Sequence, residues 1–178
     1  MNSNDTEENS NSLKYAISCW DEKSKDDIQS VYNNHCDDKL FIDSVTHLIG
    51  DLSIQIGATW LLKQHLEKGH TVNSEQSIKI LQKLPKLSSW QSQLHILQIF
   101  NQIQMDIPNK TNIEHFIRHN LTSDNKFVRA WSYNGFYELA RNFPEYTEEM
   151  YAFFDMAMND ESASIKARIR QLLKKKKS

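Results

Sequence analysis

Apolar residues recur three or four positions apart along almost the whole chain, which is the spacing of one buried face of an α-helix. The pattern divides into short helices, each followed by a brief connection and a second, generally longer helix. The first helices are predicted at residues 38–49, 75–84, 111–121 and 146–158, and the second helices at residues 53–68, 88–105, 125–142 and 161–174. The pattern therefore predicts an all-α fold of about four helical hairpins.

The hairpins share one register along the chain. Equivalent positions in the four first helices are 36, 36 and 37 residues apart and carry the apolar residues Val45, Leu81, Ile117 and Phe154. A fixed period of this length is typical of solenoid proteins, in which each repeat buries its apolar face against the next one. We therefore predict that the hairpins stack in sequence order.

Turn-forming residues lie between the predicted helices and support this register. Pro85, Pro108 and Pro144 all fall in connections, where a missing N–H has no helical partner to lose. Gly69 lies just after a predicted helix, at the position that favours glycine. The predicted N-caps are Ser74, Ser88 and Thr111. Gly57 falls inside a predicted helix, which favours a close approach of another helix there.

The two ends of the chain differ in composition from its middle. Residues 1–12 form a polar segment with three acids and no base, and we expect this segment to be disordered. Residues 13–178 are predicted to form a single domain, and residues 13–36 to supply a helical cap at its amino end. Residues 166–178 carry seven bases and no acid, whereas residues 13–165 have a net charge of −6. The predicted domain thus ends in a basic tail.

Composition excludes several classes of protein. Of the 178 residues, 39% are hydrophobic and 25% are charged, which is the balance of a globular domain with its own core. The longest apolar run, between Ile54 and Leu62, is shorter than the roughly 20 residues that cross a bilayer. Cys19 and Cys36 form neither a disulfide framework nor a zinc motif. These features, with an acidic amino terminus that lacks a signal sequence, predict a cytoplasmic protein without membrane association.

The second helices of the last two hairpins carry the most informative motif. An acidic turn residue precedes a β-branched residue, a basic residue, Ala and a later Leu: Asp124, Val128, Arg129, Ala130 and Leu139, and again Asp160, Ile165, Lys166, Ala167 and Leu172. This motif resembles the second helix of HEAT repeats, and the resemblance covers residues 38–174, with degenerate motifs in the first two hairpins. It implies a right-handed α-α superhelix in which turn Asp and basic residues of neighbouring repeats form a ladder of hydrogen bonds. It implies no particular activity.

Candidate catalytic and metal-binding groups do not assemble in the sequence. His115 and His119 lie four residues apart, but zinc requires three or four ligands and no third is fixed by the spacing. The chain lacks GxSxG, GxGxxG and P-loop motifs, so we predict no enzyme, no metal and no cofactor. The resemblance leaves one enzymatic alternative, a DNA glycosylase that would use Asp124, Arg129 and Trp131. The acidic body of the chain opposes that alternative.

The second helix of the second hairpin offers a candidate binding surface. An uncharged polar stripe occupies positions i, i+4, i+7 and i+11, formed by Gln91, His95, Gln98 and Gln102. In solenoids such helices line the concave surface, so we predict a non-catalytic scaffold that binds an unidentified protein partner there. A simple solvated face is the other interpretation of the stripe. A second candidate function is nucleic-acid binding through the basic tail, with Lys174, Lys175, Lys176 and Lys177.

Overall fold

The computed structural model describes the backbone of residues 3–175 and the side chains of residues 9–174. This part of the chain contains ten α-helices, three short 3₁₀ turns and no strand. The helices are α1 (Ser3–Ser18), α2 (Lys25–His35), α3 (Phe41–Leu48), α4 (Gln55–Glu67), α5 (Ser74–Lys83), α6 (Trp90–Ile99), α7 (Lys110–Leu121), α8 (Lys126–Asn142), α9 (Thr147–Asp160) and α10 (Ala163–Lys175). The all-α prediction is confirmed, and each predicted helix has a counterpart.

The chain divides into two compact units, Met1–Gln104 and Met105–Ser178. In the first unit α3 packs against α1 and α5, and α4 packs against α2 and α6. First helices and second helices therefore form separate layers, joined by contacts of α1 with α2 and of α3 with α4. In the second unit α7 packs against α8, and both α9 and α10 pack against α8 and against each other. Within each unit the helices follow one another in sequence order, as predicted.

The shared register marks the core of each unit. Val45 and Leu81 in the first unit and Ile117 in the second are fully buried, and Phe154 is 1% exposed. These four residues occupy equivalent positions in α3, α5, α7 and α9, and each lies in the core of its own unit. The repeat period read from apolar positions thus marks buried positions in both units.

The structure has a helix at the amino end. Residues 3–12, which composition predicts to be disordered, belong to α1, and residues 1 and 2 lie outside the described part of the chain. Leu13 and Ile17 are 1% and 2% exposed, and Asn9 Nδ2 donates a hydrogen bond of 2.7 Å to Asp38 Oδ2. Once the turn around Leu13 and Ile17 is packed, the polar residues before it can join the helix, because extending an existing helix costs less free energy than starting a new one. The predicted cap is therefore a full hairpin, α1 with α2, in the same two layers as the following hairpins.

Helix ends agree with the predicted positions to within a few residues, except that α6 ends at Ile99, six residues before the predicted end. Asn73, not Ser74, is the N-cap of α5, because its side chain and that of Gln76 form a reciprocal capping box. The cap of α6 is Ser89 rather than Ser88, and that of α7 is Asn109 rather than Thr111. Gly69 has a φ of 91°, as a left-handed position after a helix requires.

Polar side chains connect consecutive hairpins at separations close to the repeat length. The buried Gln55 side chain accepts hydrogen bonds from the backbone N–H groups of Ser88 and Ser89, at 2.9 and 3.2 Å. Gln76 Nε2 donates to Asp43 Oδ1 at 3.0 Å, and Arg118 forms two bonds of 2.7 Å with the Glu149 carboxylate. Because a slip of one position would leave these partly buried groups unpaired, they favour a single register.

Candidate interaction surface

The outer face of α4 and α6 is the surface that carries the predicted binding residues. Half-exposed side chains recur on both helices at helical spacing; they are Ile56, Trp60, Lys63, Gln64, Gln91, Leu94, His95 and Gln98. We call this set the α4–α6 surface. Thr59 and His95 join the two helices through a bond of 3.1 Å between Thr59 Oγ1 and His95 Nδ1. The two helices therefore present their outer side chains as one continuous face.

Very little charge lies on this surface. No residue from 87 to 105 is Asp, Glu, Lys or Arg, in a chain that is 25% charged. The Lys63 ammonium of the neighbouring helix α4 forms an ion pair of 2.8 Å with Glu67. Amide groups and apolar carbons are therefore what α6 offers to another molecule. The half-exposed rings and aliphatic side chains of Trp60 and Leu94 lie among these amides.

The predicted stripe is brought together only in part. Gln91 and Gln98 are half-exposed on α6, as the spacing implies. Gln102 lies outside the helix, because α6 ends at Ile99 and residues 100–102 form a 3₁₀ turn in which Gln102 is exposed. This turn directs the chain so that Phe100 and Ile103 are buried at 1% and 5% exposure. The predicted helix over residues 88–105 is therefore too long.

The apolar residues of α6 and its flanking positions are not all buried. Trp90 is 46% exposed and Leu94 is half-exposed, whereas Leu97 is fully buried and Phe100 is 1% exposed. Leu94 lies three residues after Gln91 and four before Gln98, so all three share one side of α6. This spacing is visible in the sequence and was the signal for an apolar group within the stripe.

His95 is a structural residue as much as a surface one. Burial lowers the pKa of His95 to about 4, and the positive charge of Lys63 acts in the same direction. The ring is therefore neutral near pH 7 and holds α6 to α4 through Thr59. Of the four predicted binding residues, Gln91 and Gln98 remain the ones that α6 presents without such a bond to another residue of the described chain.

Arg129 takes the structural role that was expected, with different partners. Its guanidinium donates to Glu161 Oε1 at 3.0 Å and Oε2 at 3.4 Å, and to the backbone oxygens of Ser123 and Asp124 at 2.7 and 3.2 Å. The turn acid of the neighbouring repeat, Asp160, is exposed and Arg129 pairs with Glu161 beside it, so the predicted Asp–Arg pair is wrong at this position. The reason is geometric. The Glu161 carboxylate of the next hairpin lies within hydrogen-bonding distance of the guanidinium, and the turn before α8 supplies the two backbone carbonyls that accept its other hydrogen bonds.

Replacement of Arg129 by Met is expected to lower the free energy of unfolding by about 1 kcal/mol, because Glu161 would lose its partner while only 17% exposed. Urea denaturation of the purified variant measures this loss. The control is Lys79→Met, which removes an exposed pair with Glu75 and should change stability by only about 0.3–0.5 kcal/mol. Equal effects of the two substitutions would contradict the role assigned to Arg129.

A family model described as a HEAT repeat domain matches residues 20–176. The chain belongs to the HEAT repeat family. The match begins before the resemblance seen in the sequence and includes α2, whereas α1 precedes it. HEAT repeats are generally scaffolds for protein interaction and are typically not catalytic. No curated protein and no solved structure matches this HEAT repeat chain.

The residues proposed for glycosylase chemistry do not converge in this HEAT repeat protein. Asp124 and Arg129 line an open groove of about 510 Å³ beside the end of α9, but Trp131 is not among its lining residues. The Trp131 ring is covered by the Arg168 guanidinium, 3.7 Å from the ring centroid. Arg129 is held by Glu161. The three residues therefore do not form one site.

The other candidates for chemistry are isolated side chains. His115 and His119 are exposed on α7, and no group of three His, Cys, Asp or Glu side chains within the described residues could hold a metal ion. No helix in the described part of the chain is long and apolar enough to cross a membrane. Lys174 is exposed near the end of α10 and Lys175 is the last residue of that helix, while Lys176 and Lys177 lie outside the described residues.

Proposed function

We propose that this protein is a non-catalytic scaffold that binds a protein partner through the α4–α6 surface. The observation that carries the proposal is the absence of formal charge from residue 87 to residue 105 beside the half-exposed Trp60 and Leu94. The centres of protein interfaces are depleted of charged residues and enriched in aromatic ones. The amides of Gln91 and Gln98 both donate and accept hydrogen bonds, which suits a partner's backbone or polar side chains.

The family supports the same kind of function at a coarser level, since HEAT repeats are generally protein-interaction scaffolds. The layered packing of α2, α4 and α6 supports a rigid platform, because Gln55 and Thr59 hold α4 to the following hairpin. A rigid platform loses little conformational entropy when it binds. Binding is therefore expected to depend on the side chains displayed and not on rearrangement of the helices.

A photo-crosslinking residue at position 98 identifies the partner, and binding of that purified partner then tests the surface. Leu94→Glu and Gln98→Glu are each expected to weaken binding about tenfold, because an unpaired charge would be desolvated in the interface. Gln82→Glu, the matched control at an exposed site on α5, should leave the affinity unchanged. Each variant's circular dichroism spectrum must match that of the unmodified protein.

The salt response provides the second readout. Affinity for the partner should change less than about threefold between 50 and 200 mM salt, whereas contacts to six or more phosphates would weaken binding by about 10³-fold or more. Binding that is unaffected by both Leu94→Glu and Gln98→Glu would contradict the proposed surface. A steep loss of affinity with salt would contradict an interface based on amides.

A further inference from the structure

The charges of α10 are set apart from the other charges of the described structure. Eight ion pairs connect residues between Lys14 and Glu161, and none of them includes a described side chain of α10. Lys166 donates to a backbone oxygen, that of Asn159, and Arg168 lies over the Trp131 ring. Arg170 and Lys174 are exposed and contact no carboxylate within the described residues. Arg170 and Lys174 therefore remain available to an outside anion.

These cations are arranged along the helix by its packing. Ile165, Ile169 and Leu172 are at most 2% exposed and attach one side of α10 to the second unit. Arg170 and Lys174 lie one helical turn apart on the opposite side, about 6 Å from each other along the axis. Because the apolar side is fixed, this basic side of α10 faces solvent as a stable ridge. We call it the α10 ridge.

The first hairpin carries the complementary charge. Six carboxylates in the turns and first residues of α2 and before α3 are exposed, namely Asp21, Glu22, Asp26, Asp27, Asp37 and Asp38. None of the six forms an ion pair with a described side chain. Residues 1–38 contain nine acids and three bases, a net charge of −6. Acidic charge is thus left unpaired at the start of the chain, and basic charge at its end.

We propose that the α10 ridge docks on the acidic first hairpin of a second copy of this chain. The contact is heterologous, because the two surfaces differ, and each added copy leaves one free ridge and one free acidic hairpin. Single exposed ion pairs are weak, so docking requires several of them and is sensitive to salt. The net charge of −2 means that whole molecules repel one another little.

A second copy fits the ridge better than a nucleic acid does. Without the seven bases of residues 166–177, the chain has 14 bases and 23 acids, a net charge of −9. Of this negative charge, −5 belongs to residues 105–165 of the ridge's own unit, which carry 5 bases and 10 acids. A phosphate backbone that runs beyond the ridge along this unit would be repelled, because like charges repel. A second copy brings to the ridge six exposed carboxylates that form no ion pair with a described side chain. Charge complementarity therefore favours a second copy of the chain over a nucleic acid on the α10 ridge.

Sedimentation velocity of the full chain tests this contact by a charge exchange. At about 0.01 M ionic strength, where the screening length is about 30 Å, the unmodified protein should have a mass above the 20.9 kDa of the monomer, and this mass should rise with concentration. At about 1 M ionic strength the protein should be monomeric. Arg170→Glu with Lys174→Glu should be monomeric, and so should Asp26→Lys with Asp27→Lys. An equimolar mixture of these two double variants should associate again.

The control is Lys86→Glu with Lys126→Glu, two exposed cations outside α10, and this variant should associate as the unmodified protein does. A monomer at all concentrations and low ionic strength would overturn the proposal, as would a failure of the mixture to associate. Titration with a fluorescent single-stranded RNA gives the remaining outcome. In that outcome the unmodified protein binds RNA without associating with itself, and this binding is lost in Arg170→Glu with Lys174→Glu. This result would show that the α10 ridge binds nucleic acid and not a second copy.

Discussion

The free energy of unfolding is expected to fall steeply as the pH is lowered from 6.5 to about 4, because two histidines of the first unit are neutral in the folded protein. Burial lowers the pKa of His65 from 6.5 to about 4, and the stacked ring of His70, 4.1 Å away between centroids, adds to the effect. His95 has a pKa of about 4 for the same main reason. The Tyr32 hydroxyl lies 3.2 Å from His65 Nδ1.

Proton linkage determines the direction in which the free energy of unfolding changes with pH. The unfolded histidines titrate near pH 6.5, so between pH 6.5 and 4 the unfolded chain binds more protons than the folded one. The stabilising contribution of the neutral rings is complete above pH 6.5 and is lost as the pH falls toward 4. For His65 the full loss is about 3 kcal/mol, at 1.36 kcal/mol for each pKa unit. His95, which water reaches more easily, contributes less.

Urea denaturation at a series of pH values measures this loss, with far-UV circular dichroism as the signal. His65→Phe should reduce the slope of stability against pH in this range by more than half, since the larger of the two histidine contributions is removed. His119→Phe, at an exposed site on α7, is the matched control and should leave the slope unchanged. A free energy of unfolding that is flat from pH 6.5 to 4.5 would contradict the buried, neutral state of both rings.

Replacement of Gly57 by Ala is expected to destabilise the protein by about 2 kcal/mol, although Gly→Ala inside a helix normally stabilises it by about 1 kcal/mol. A Cβ atom at position 57 would overlap Ile17 Cγ2 of α1, and a well-packed core yields little to an added methyl group. The sequence-based expectation of close helix approach at this glycine is therefore confirmed. Thermal and urea denaturation both measure the loss.

Two further variants isolate the contact. Gly50→Ala is the matched control, because its Cβ would meet only the flexible side chains of Lys83 and Lys86, at 2.9 and 3.4 Å from their Cδ atoms, and a lysine can move aside. In an Ile17→Ala background, Gly57→Ala should become stabilising by about 1 kcal/mol, since the overlapping methyl group is gone. If Gly57→Ala stabilises the unmodified protein, α1 and α4 are not in contact at this point.

The helices and their register were predictable because both depend on short-range patterns. Val45, Leu81, Ile117 and Phe154 follow from apolar spacing alone, and all four are at most 1% exposed. Proline and glycine positions marked the connections for a local reason, their backbone geometry. The caps were misplaced by one or two residues because neighbouring polar side chains such as Asn73 and Ser74 compete for the same role.

The features that were mispredicted depend on contacts between residues far apart in the chain. Residues 3–12 look disordered by composition, yet α1 extends through them because Leu13 and Ile17 pack on the first unit. Arg129 was assigned a turn aspartate, but the carboxylate within its reach is Glu161, 32 residues later. Sequence spacing predicts which side of its own helix a residue occupies. It does not predict what the neighbouring helix places opposite that side.

The candidate binding residues illustrate the same division. The sequence by itself determined that α6 is uncharged and that Gln91 and Gln98 share one side of it, because both follow from composition and helical period. Only the tertiary structure decided that His95 is held by Thr59, that Gln102 lies in a separate turn and that Leu94 is half-exposed. Exposure depends on how closely α4 and α6 approach and where α6 ends, and these are set by packing across about one repeat length, beyond the range of local periodicity.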